Sequence, residues 1–271
     1  MKLVVDGTAL AFETHGAVDD DGRPWVVLSH SLACDRSMWA PQIPVLAQRY
    51  RVLALDTRGH GASEASPPPY TFDRLADDAR AVIESLRITR PHFVGLSLGG
   101  MIGQTYALRF PGSLASLCLA DTASRWPAAA LGTFAERARL ALVDGMEPLV
   151  QPTLGRWFTP AFHQTHPAEV ARIGACIRAT PPAGFAGCAA AVPTINTTER
   201  LREIACPILV MVGREDAGTS PAMAREIHEH APGSRLAIID GAAHLSNIER
   251  PEAFNRALLD FLETAVAASP R

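Results

Sequence analysis

The chain has 271 residues, of which 48% are hydrophobic and 20% are charged. This composition supplies a buried core, and the length suits one large α/β domain or two small ones. The formal net charge of −3, without any run rich in lysine and arginine, argues against nucleic acid or an anionic membrane as a partner.

Short apolar runs alternate with segments of helical periodicity along most of the chain. The sequence opens with a predicted hairpin, in which Lys2–Val5 and Thr8–Glu13 flank an Asp-Gly turn. Six further runs are predicted to be strands, and their nearly continuous apolar character is typical of a parallel sheet covered by helices on both faces. These runs are Trp25–Ser29, Tyr50–Leu55, His92–Leu96, Leu114–Ala120, Ile208–Val212 and Leu236–Ile239.

Several segments between these runs are predicted to be helices. Apolar residues between positions 75 and 86 recur at helical spacing behind Thr71, which is suited to the N-cap. Ser220 supplies an N-cap for a helix over 221–230, which begins with proline, and an apolar stripe marks a last helix around 254–262. This alternation of strands and helices predicts a doubly wound, mostly parallel α/β fold.

The alternation stops after Asp121. The following segment is rich in alanine, proline and tryptophan, has helical patterns at Phe134–Leu142 and Val170–Ala179, and contains no predicted strand. We interpret residues 122–198 as a helical cap inserted over one end of the sheet. The predicted α/β core comprises residues 1–121 and 199–271.

A G-x-S-x-G motif, Gly95-Leu96-Ser97-Leu98-Gly99, stands where a predicted strand ends and a predicted helix, Met101–Arg109, follows. The glycines allow a tight strand-to-helix turn that aims the serine hydroxyl at the end of the sheet. Free N–H groups at the helix N-terminus add positive potential at that point. We therefore predict that Ser97 is a nucleophile.

A serine hydroxyl becomes a good nucleophile only when a neighbouring base takes its proton. His244 is the preferred base because it follows a predicted strand in a turn, from which its side chain can reach over the sheet edge. The carboxylate that orients the base should also leave a strand end, and Asp216 is preferred there, with Glu215 and then Asp121 as alternatives. The order Ser97, Asp216, His244 is the one expected on an α/β-hydrolase sheet.

Three motifs together resemble the α/β-hydrolase superfamily: the Ser97 turn, Asp56–Ser63 and Gly241–Asn247. The likeness spans nearly the whole chain, including Arg156–Pro160 in the cap, and is nearest to the 3-oxoadipate enol-lactonase group. The resemblance implies an α/β-hydrolase fold with an inserted helical cap and hydrolysis through a serine acyl-enzyme.

The resemblance also implies an oxyanion hole formed by the backbone N–H groups of Leu98 and Leu32. Many relatives carry a His-Gly pair where this chain has His30-Ser31, and Ser31 matches the lactonase-like branch. Donors aimed at a developing oxyanion contribute roughly 3 kcal/mol each. His30 and the Arg58–His60 loop are predicted to be structural.

The predicted activity is hydrolysis of small-molecule carboxylic esters, with small neutral acyl or aryl esters preferred. The uncharged run Ala191–Asn196 favours this choice, and Trp126, Trp157 and Phe158 are predicted to line the pocket. The alternative is a 3-oxoadipate enol-lactonase or another lactonase. A lactone with a carboxylate would need a cation in the pocket, because burial of an unpaired anion is unfavourable. The cap offers Arg125, Arg156, Arg172 and Arg178.

Other functions are compatible with the same three residues. A C–C bond hydrolase, a cofactor-free perhydrolase and a ligand receptor on a hydrolase fold remain alternatives, whereas the serine at position 97 argues against dehalogenases and epoxide hydrolases, which use aspartate there. The chain has no G-x-G-x-x-G motif and no metal-ligand spacing, so no cofactor or metal is predicted. The oligomeric state is not predicted.

The predicted location is the cytoplasm. The five cysteines are scattered and odd in number, which is typical of free thiols in a reducing compartment. The N-terminal apolar stretch is too short for a secretory signal. No apolar run approaches the roughly 18 residues of a membrane span.

Overall fold

The computed structural model describes residues 1–16, 22–127 and 130–267. Within these ranges, one sheet has eight strands in the order β1-β2-β4-β3-β5-β6-β7-β8. The strands are β1 (Lys2–Val5), β2 (Thr8–His15), β3 (Trp25–Ser29), β4 (Arg51–Leu55), β5 (His92–Leu96), β6 (Ser116–Ala120), β7 (Ile208–Gly213) and β8 (Arg235–Ile239).

The sheet is antiparallel at one edge and parallel elsewhere. β1 pairs with β2, and β2 with β4, in antiparallel register, whereas all pairings from β4 through β8 are parallel. Every residue of β5, β6 and β7 is buried, which explains why these strands are apolar without alternation. The predicted mostly parallel α/β sheet is confirmed, and all six predicted runs contain strands.

The helices cover the sheet and form the segment between β6 and β7. Short 3₁₀ turns also occur at Arg36–Trp39, Val192–Thr194 and Thr198–Glu203. The α-helices are α1 (Ile43–Leu46), α2 (Phe72–Ser85), α3 (Leu98–Arg109), α4 (Ala130–Asp144), α5 (Glu147–Trp157), α6 (Pro160–Thr165), α7 (Pro167–Ala179), α8 (Pro182–Ala191), α9 (Pro221–His230), α10 (Ser246–Glu249) and α11 (Pro251–Ala267).

The predicted helix ends are partly reproduced. Thr71 caps α2 as predicted, because its side chain accepts a hydrogen bond of 3.1 Å from the N–H of Arg74. Ser220 occupies the N-cap position of α9, but its side chain makes no capping hydrogen bond. α3 begins three residues earlier than predicted, because Gly99 and Gly100, which are poor helix formers, lie in its first turn.

The insertion between β6 and β7 is helical, as predicted. It contains α4 to α8, and an isolated antiparallel bridge between Arg125 and Asn196 joins its two ends. α8 docks on the core at a contact between Gly184 and Gly59, where a Cβ atom on Gly184 would lie 2.0 Å from the Gly59 carbonyl oxygen. The backbones of cap and core therefore touch directly. No helix in the described ranges is both long and apolar enough to cross a bilayer.

Candidate active site

Ser97 lies between β5 and α3 in a strained backbone conformation. Its φ and ψ are 56° and −112°, a combination that residues other than glycine rarely adopt. Three hydrogen bonds hold it there: its N–H donates to the Ala120 carbonyl at 2.9 Å, and its carbonyl accepts from Thr122 Oγ1 at 2.7 Å and the Met101 N–H at 3.1 Å. Such over-determined strain is typical of functional sites.

The glycines on either side of Ser97 are required by close backbone contacts. A Cβ atom on Gly95 would lie 2.2 Å from the Gly99 carbonyl oxygen, and one on Gly99 would lie 2.1 Å from the Ser29 carbonyl oxygen. The end of β5, the start of α3 and the end of β3 therefore approach one another more closely than any side chain permits. This is the physical reason for the G-x-S-x-G pattern.

His244 lies in the turn between β8 and α10, and its partner is Asp216. His244 Nδ1 is 2.8 Å from Asp216 Oδ2. Asp216 also accepts hydrogen bonds from the N–H groups of Gly218 and Thr219, at 2.8 and 3.0 Å, and from Thr219 Oγ1 at 2.6 Å. A carboxylate held by these donors fixes the His244 proton on Nδ1 and leaves Nε2 free to act as a base.

The charges of this pair stabilise each other. Burial alone would lower the pKa of His244, but the Asp216 carboxylate and its hydrogen bond raise that pKa above the usual 6.5. Burial would likewise raise the pKa of Asp216, but His244, Thr219 and Gly218 hold it below its ordinary value. The pair is therefore suited to stabilise an imidazolium next to a carboxylate.

The two alternative acids do not orient His244. Glu215 is exposed. Asp121 is fully buried, accepts a hydrogen bond of 2.7 Å from the Gly213 N–H, and accepts another from the Ser246 hydroxyl. Burial and the nearby Asp216 raise the pKa of Asp121 to about 8. Asp121 thus ties the end of β7 to the turn that carries His244.

Ser97 and His244 line one cavity of about 240 Å³, to which Asp216 also contributes. Among the described residues, the Ser97 hydroxyl makes no direct hydrogen bond to His244. In unliganded enzymes such contacts often shorten only when the substrate is bound. The cavity is lined by Ser31, Leu32, Ser97, Met101, Trp126, Ala130, Thr133, Phe134, Arg137, Arg156, Trp157, Val192, Asp216, Gly218, Thr219 and His244.

The loop after β3 lies beside the Ser97 turn. The Gly99 N–H donates to the His30 carbonyl at 3.1 Å, which ties the two loops together. His30 Nε2 accepts from the Thr57 N–H at 2.9 Å, so its Nδ1 carries the proton and donates to the Ser31 carbonyl at 2.7 Å. Within the described residues, the N–H groups of Leu32 and Leu98 donate to no protein acceptor, and both remain candidates for an oxyanion hole.

The loop after β4 is held by a buried ion pair. The Arg58 guanidinium donates to both oxygens of Asp78 in α2, at 2.7 and 2.6 Å. His60 is fully buried next to His30, and burial lowers its pKa to about 3. Since Arg58 and His60 do not line the cavity, their contacts position loops behind the site.

The pocket predictions are only partly right. Trp126 and Trp157 line the cavity, but Phe158 does not, so its assignment was wrong. α5 ends at Trp157, and Phe158 follows it in an extended backbone conformation, outside the helix face that carries Trp157. Phe158 is instead buried in the cap, where it stacks on Phe162 with ring centroids 5.0 Å apart.

The cap also contributes two arginines to the cavity. Arg156 was among the four candidates, whereas Arg125, Arg172 and Arg178 form ion pairs elsewhere, with Glu226, Glu169 and Glu147. Arg137 was missed, although it lies three residues after the buried Phe134 and therefore on the same face of α4.

Neither cavity arginine forms an ion pair within the described part of the chain. Arg156 is the more exposed, and its guanidinium lies 3.4 Å from Thr153 Oγ1. Arg137 is half-buried, its buried Nε has no hydrogen-bond partner among the described residues, and its guanidinium lies near the rings of Phe134 and Phe185. Burial and the positive charge of Arg156 lower the pKa of Arg137 to about 10, so it stays charged at neutral pH.

The turn that carries His244 is joined to the cap on both sides of the histidine. The Leu245 N–H donates to the Trp157 carbonyl at 3.1 Å, and the Trp157 ring stacks on His244 with centroids 5.9 Å apart. Glu249 is buried and accepts from the N–H groups of Ala243, at 2.9 Å, and Thr159, at 3.0 Å. The sequence patterns gave no indication of this role for Glu249.

In residues 1–16, 22–127 and 130–267, no three histidine, cysteine, aspartate or glutamate side chains converge in a group that could hold a metal ion. The five cysteines are all unpaired.

A protein family described as having the alpha/beta hydrolase fold matches residues 24–251. The chain belongs to this α/β-hydrolase family. The 3-oxoadipate enol-lactonase 2 of Acinetobacter baylyi is 35% identical over 256 residues, which cover 94% of each chain. This α/β hydrolase is also similar to the solved enol-lactonase of Burkholderia xenovorans LB400, with 36% identity, a TM-score of 0.93 and coverage of 97% and 100%.

A second kind of relative is an esterase. The solved thermophilic esterase of Thermogutta terrifontis is 28% identical, with a TM-score of 0.90 and coverage of 97% of both chains. The predicted fold and the predicted likeness to enol-lactonases are confirmed. The chain is therefore a hydrolase of the α/β fold whose relatives include both lactonases and esterases.

Proposed function

We propose that this α/β hydrolase opens a small lactone that carries a carboxylate, through an acyl-enzyme on Ser97. The observation that carries the proposal is the half-buried Arg137, which lines the same cavity as Ser97 and His244 and has no acidic partner in the described chain. The similarity to two enol-lactonases supports it. We thus prefer the lactonase, which was the alternative prediction from the sequence, over an esterase for small neutral esters.

The reaction follows from the positions of the side chains. Ser97 Oγ attacks the lactone carbonyl carbon, its proton passes to His244 Nε2, and Asp216 stabilises the imidazolium. The negative oxygen accepts hydrogen bonds from the N–H groups of Leu32 and Leu98. When the tetrahedral intermediate collapses, the ring C–O bond breaks and the leaving oxygen takes the proton from His244.

The second half of the reaction repeats these roles with water. His244 removes a proton from a water molecule, which attacks the acyl carbonyl carbon and forms a second tetrahedral intermediate. Its collapse breaks the bond to Ser97 Oγ, which regains a proton from His244. One lactone and one water become one open-chain acid. Because the leaving oxygen of a lactone belongs to the same molecule, the whole substrate stays attached to Ser97 between the two steps.

The donors of the cavity favour an anionic substrate. Partial burial of a guanidinium without a counter-ion is unfavourable, and a carboxylate supplied by the substrate would offset that cost through charge-assisted hydrogen bonds. The indole Nε1 of Trp126 is also buried without a partner among the described residues, and Trp126 lines the same cavity. The similar Thermogutta esterase was solved with malate, a dicarboxylate, bound.

Hydrolysis of small neutral esters is the second candidate. Most of the cavity wall is apolar, and Met101, Phe134 and Val192 contribute to it. An apolar wall accepts a neutral acyl or aryl group without any help from the arginines. The two candidates differ in one measurable property, which is the preference for a charged or an uncharged version of the same substrate.

The test compares kcat/KM for a carboxylate-bearing enol-lactone and for its methyl ester, which has the same ring without the charge. We expect the anion to be preferred by at least about tenfold, or 1.4 kcal/mol of transition-state binding. Arg137→Gln should remove most of that preference. Arg178→Gln is the matched control, because Arg178 is exposed and already paired with Glu147. Equal or better turnover of the methyl ester would instead support the neutral esterase.

A further inference from the structure

Ser31 has a hydroxyl group that no protein contact explains. The residue is fully buried, and its Oγ has no hydrogen-bond partner among the described residues. Its other polar atoms are engaged: the N–H contacts Met38 Sδ at 3.3 Å, and the carbonyl accepts from the Cys34 N–H and from His30. A buried hydroxyl without a partner is unfavourable for folding, and alanine would fill the same space without that cost.

The position of Ser31 suggests what the hydroxyl meets. Ser31 lines the cavity together with Ser97, and it directly precedes Leu32, whose N–H is a candidate oxyanion donor. The hydrogen bond from Gly99 to His30 fixes this loop against the start of α3, where the Leu98 N–H lies. Ser31 therefore lines the same cavity as Ser97, in the loop that carries one of the two candidate oxyanion donors.

Other unpartnered donors of the cavity lie on the cap. Trp126 and Arg137 belong to the segment after β6, whereas Ser31 belongs to the core loop that follows β3. The donors on the cap are suited to bind a carboxylate at the far end of the substrate, whereas the Ser31 hydroxyl is suited to donate a hydrogen bond to the reacting carbonyl group. A hydroxyl hydrogen can rotate towards an acceptor that forms only during the reaction.

We infer that the Ser31 hydroxyl is a catalytic donor, which gives the oxyanion a third hydrogen bond beside the N–H groups of Leu32 and Leu98. The inference rests on Ser97 being the nucleophile, as proposed above. A donor of this kind acts mainly in the transition state, so its removal lowers kcat more than it changes KM. Since the hydroxyl stabilises no protein contact, its removal should leave the melting temperature unchanged or raise it.

The experiment measures kcat, KM and Tm for Ser31→Ala with an activated aryl ester, together with the affinity for an arylboronic acid. The boronic acid forms a tetrahedral adduct with an active serine and so imitates the intermediate. We expect kcat to fall at least about tenfold, with KM changed by less than about twofold and boronate affinity reduced by a factor similar to that of kcat. Ser31→Gly should show the same changes in kcat, KM and boronate affinity, and it replaces Ser31→Ala in the test if the alanine variant does not fold.

Ser116→Ala is the matched control, because Ser116 is buried in β6 and its hydroxyl has a partner, His92 Nδ1, at 2.8 Å. It should lower Tm and leave kcat unchanged, the reverse of Ser31→Ala. Wild-type kcat in Ser31→Ala, or a lower kcat with unchanged boronate affinity, would overturn the inference. Boronate binding that survives in Ser97→Ala would refute the proposed nucleophile, an outcome that is separate from any result at Ser31.

Discussion

Two buried aspartates lie near His244, and their surroundings give them opposite properties. Asp216 is surrounded by donors, from Thr219, Gly218 and His244, which hold its pKa below the ordinary value. Burial and the nearby charge of Asp216 disfavour the ionisation of Asp121 and raise its pKa to about 8. The surroundings of Asp216 therefore favour its charged form, whereas those of Asp121 disfavour it.

This difference predicts unequal effects of two matched substitutions. Asp216→Asn should lower kcat by roughly 10³–10⁴, because the amide no longer favours the His244 tautomer that the reaction needs. Asp121→Asn should cost far less. The asparagine oxygen can still accept from the Gly213 N–H, and Asp121 makes no hydrogen bond to His244 in the described part of the chain.

Steady-state kinetics of both variants at pH 7, with Tm as the check on folding, measures these effects. Glu215→Gln is the control from the same loop, and the exposure of Glu215 predicts nearly unchanged activity. If Asp121→Asn were the crippling change instead, the orienting carboxylate would have been assigned to the wrong residue.

Single residues differed in how far the sequence could predict them. Ser97, Asp216 and His244 could be proposed from the sequence because each follows a largely apolar strand, and parallel strands bring such ends to one edge of the sheet. The positions of Arg137 and Phe158 relative to the cavity could not be predicted from the sequence. A cap residue reaches the cavity only if its face of the helix points towards the cavity. The direction in which a helix face points depends on how α4 and α5 pack, and the local periodicity of the sequence does not reveal this packing.

At the scale of whole elements, the cap and the His244 turn form one hydrogen-bonded unit. Glu249 joins the residue before His244 to Thr159, and the residue after His244 bonds directly to the Trp157 carbonyl. The imidazole is thereby held between the Asp216 loop and the Trp157 ring. The position of the base thus depends on the cap as well as on the sheet.

Replacement of Glu249 should therefore affect both stability and catalysis. In Glu249→Gln, one of the two backbone N–H groups loses its acceptor, which costs about 1–3 kcal/mol of unfolding free energy. A displaced His244 should lower kcat by roughly 10- to 100-fold. Denaturant unfolding and kinetics on the folded protein measure the two effects separately.

Glu252→Gln is the control for that substitution, since Glu252 is exposed in the first turn of α11. Its effect on the unfolding free energy should stay within about 0.5 kcal/mol. A destabilised Glu249→Gln that kept wild-type kcat would mean that the contact only holds the cap in place and does not position the histidine.

Elements were more predictable than their ends. The strands from β3 to β8 were located by their largely apolar character. β3 to β7 lie inside the sheet and are almost entirely buried, whereas β8 is mostly half-buried at its edge. The start of α3 was missed, because Gly99 and Gly100 obscure the helical signal. Those glycines are present because Gly99 touches the backbone at Ser29 and Gly100 touches Thr122.

At the scale of the whole molecule, the sheet and the cap have separate chemical roles. Strand ends and the loops that follow them supply Ser97, Asp216 and His244, whereas the inserted helices supply Arg137, Arg156 and most of the apolar wall. Under the proposed function, the core supplies the groups that break the bond and the cap supplies the residues that select the substrate.

Rapid-quench mass spectrometry of the protein after mixing with a carboxylate-bearing enol-lactone tests directly whether Ser97 opens the lactone. We expect a transient adduct on Ser97 with the mass of the entire lactone, because ring opening releases no fragment. His244→Ala should form little of this adduct, and Ser97→Ala should form none and turn over no substrate. Steady turnover by Ser97→Ala, or an adduct on another residue, would contradict the proposal that Ser97 opens the lactone.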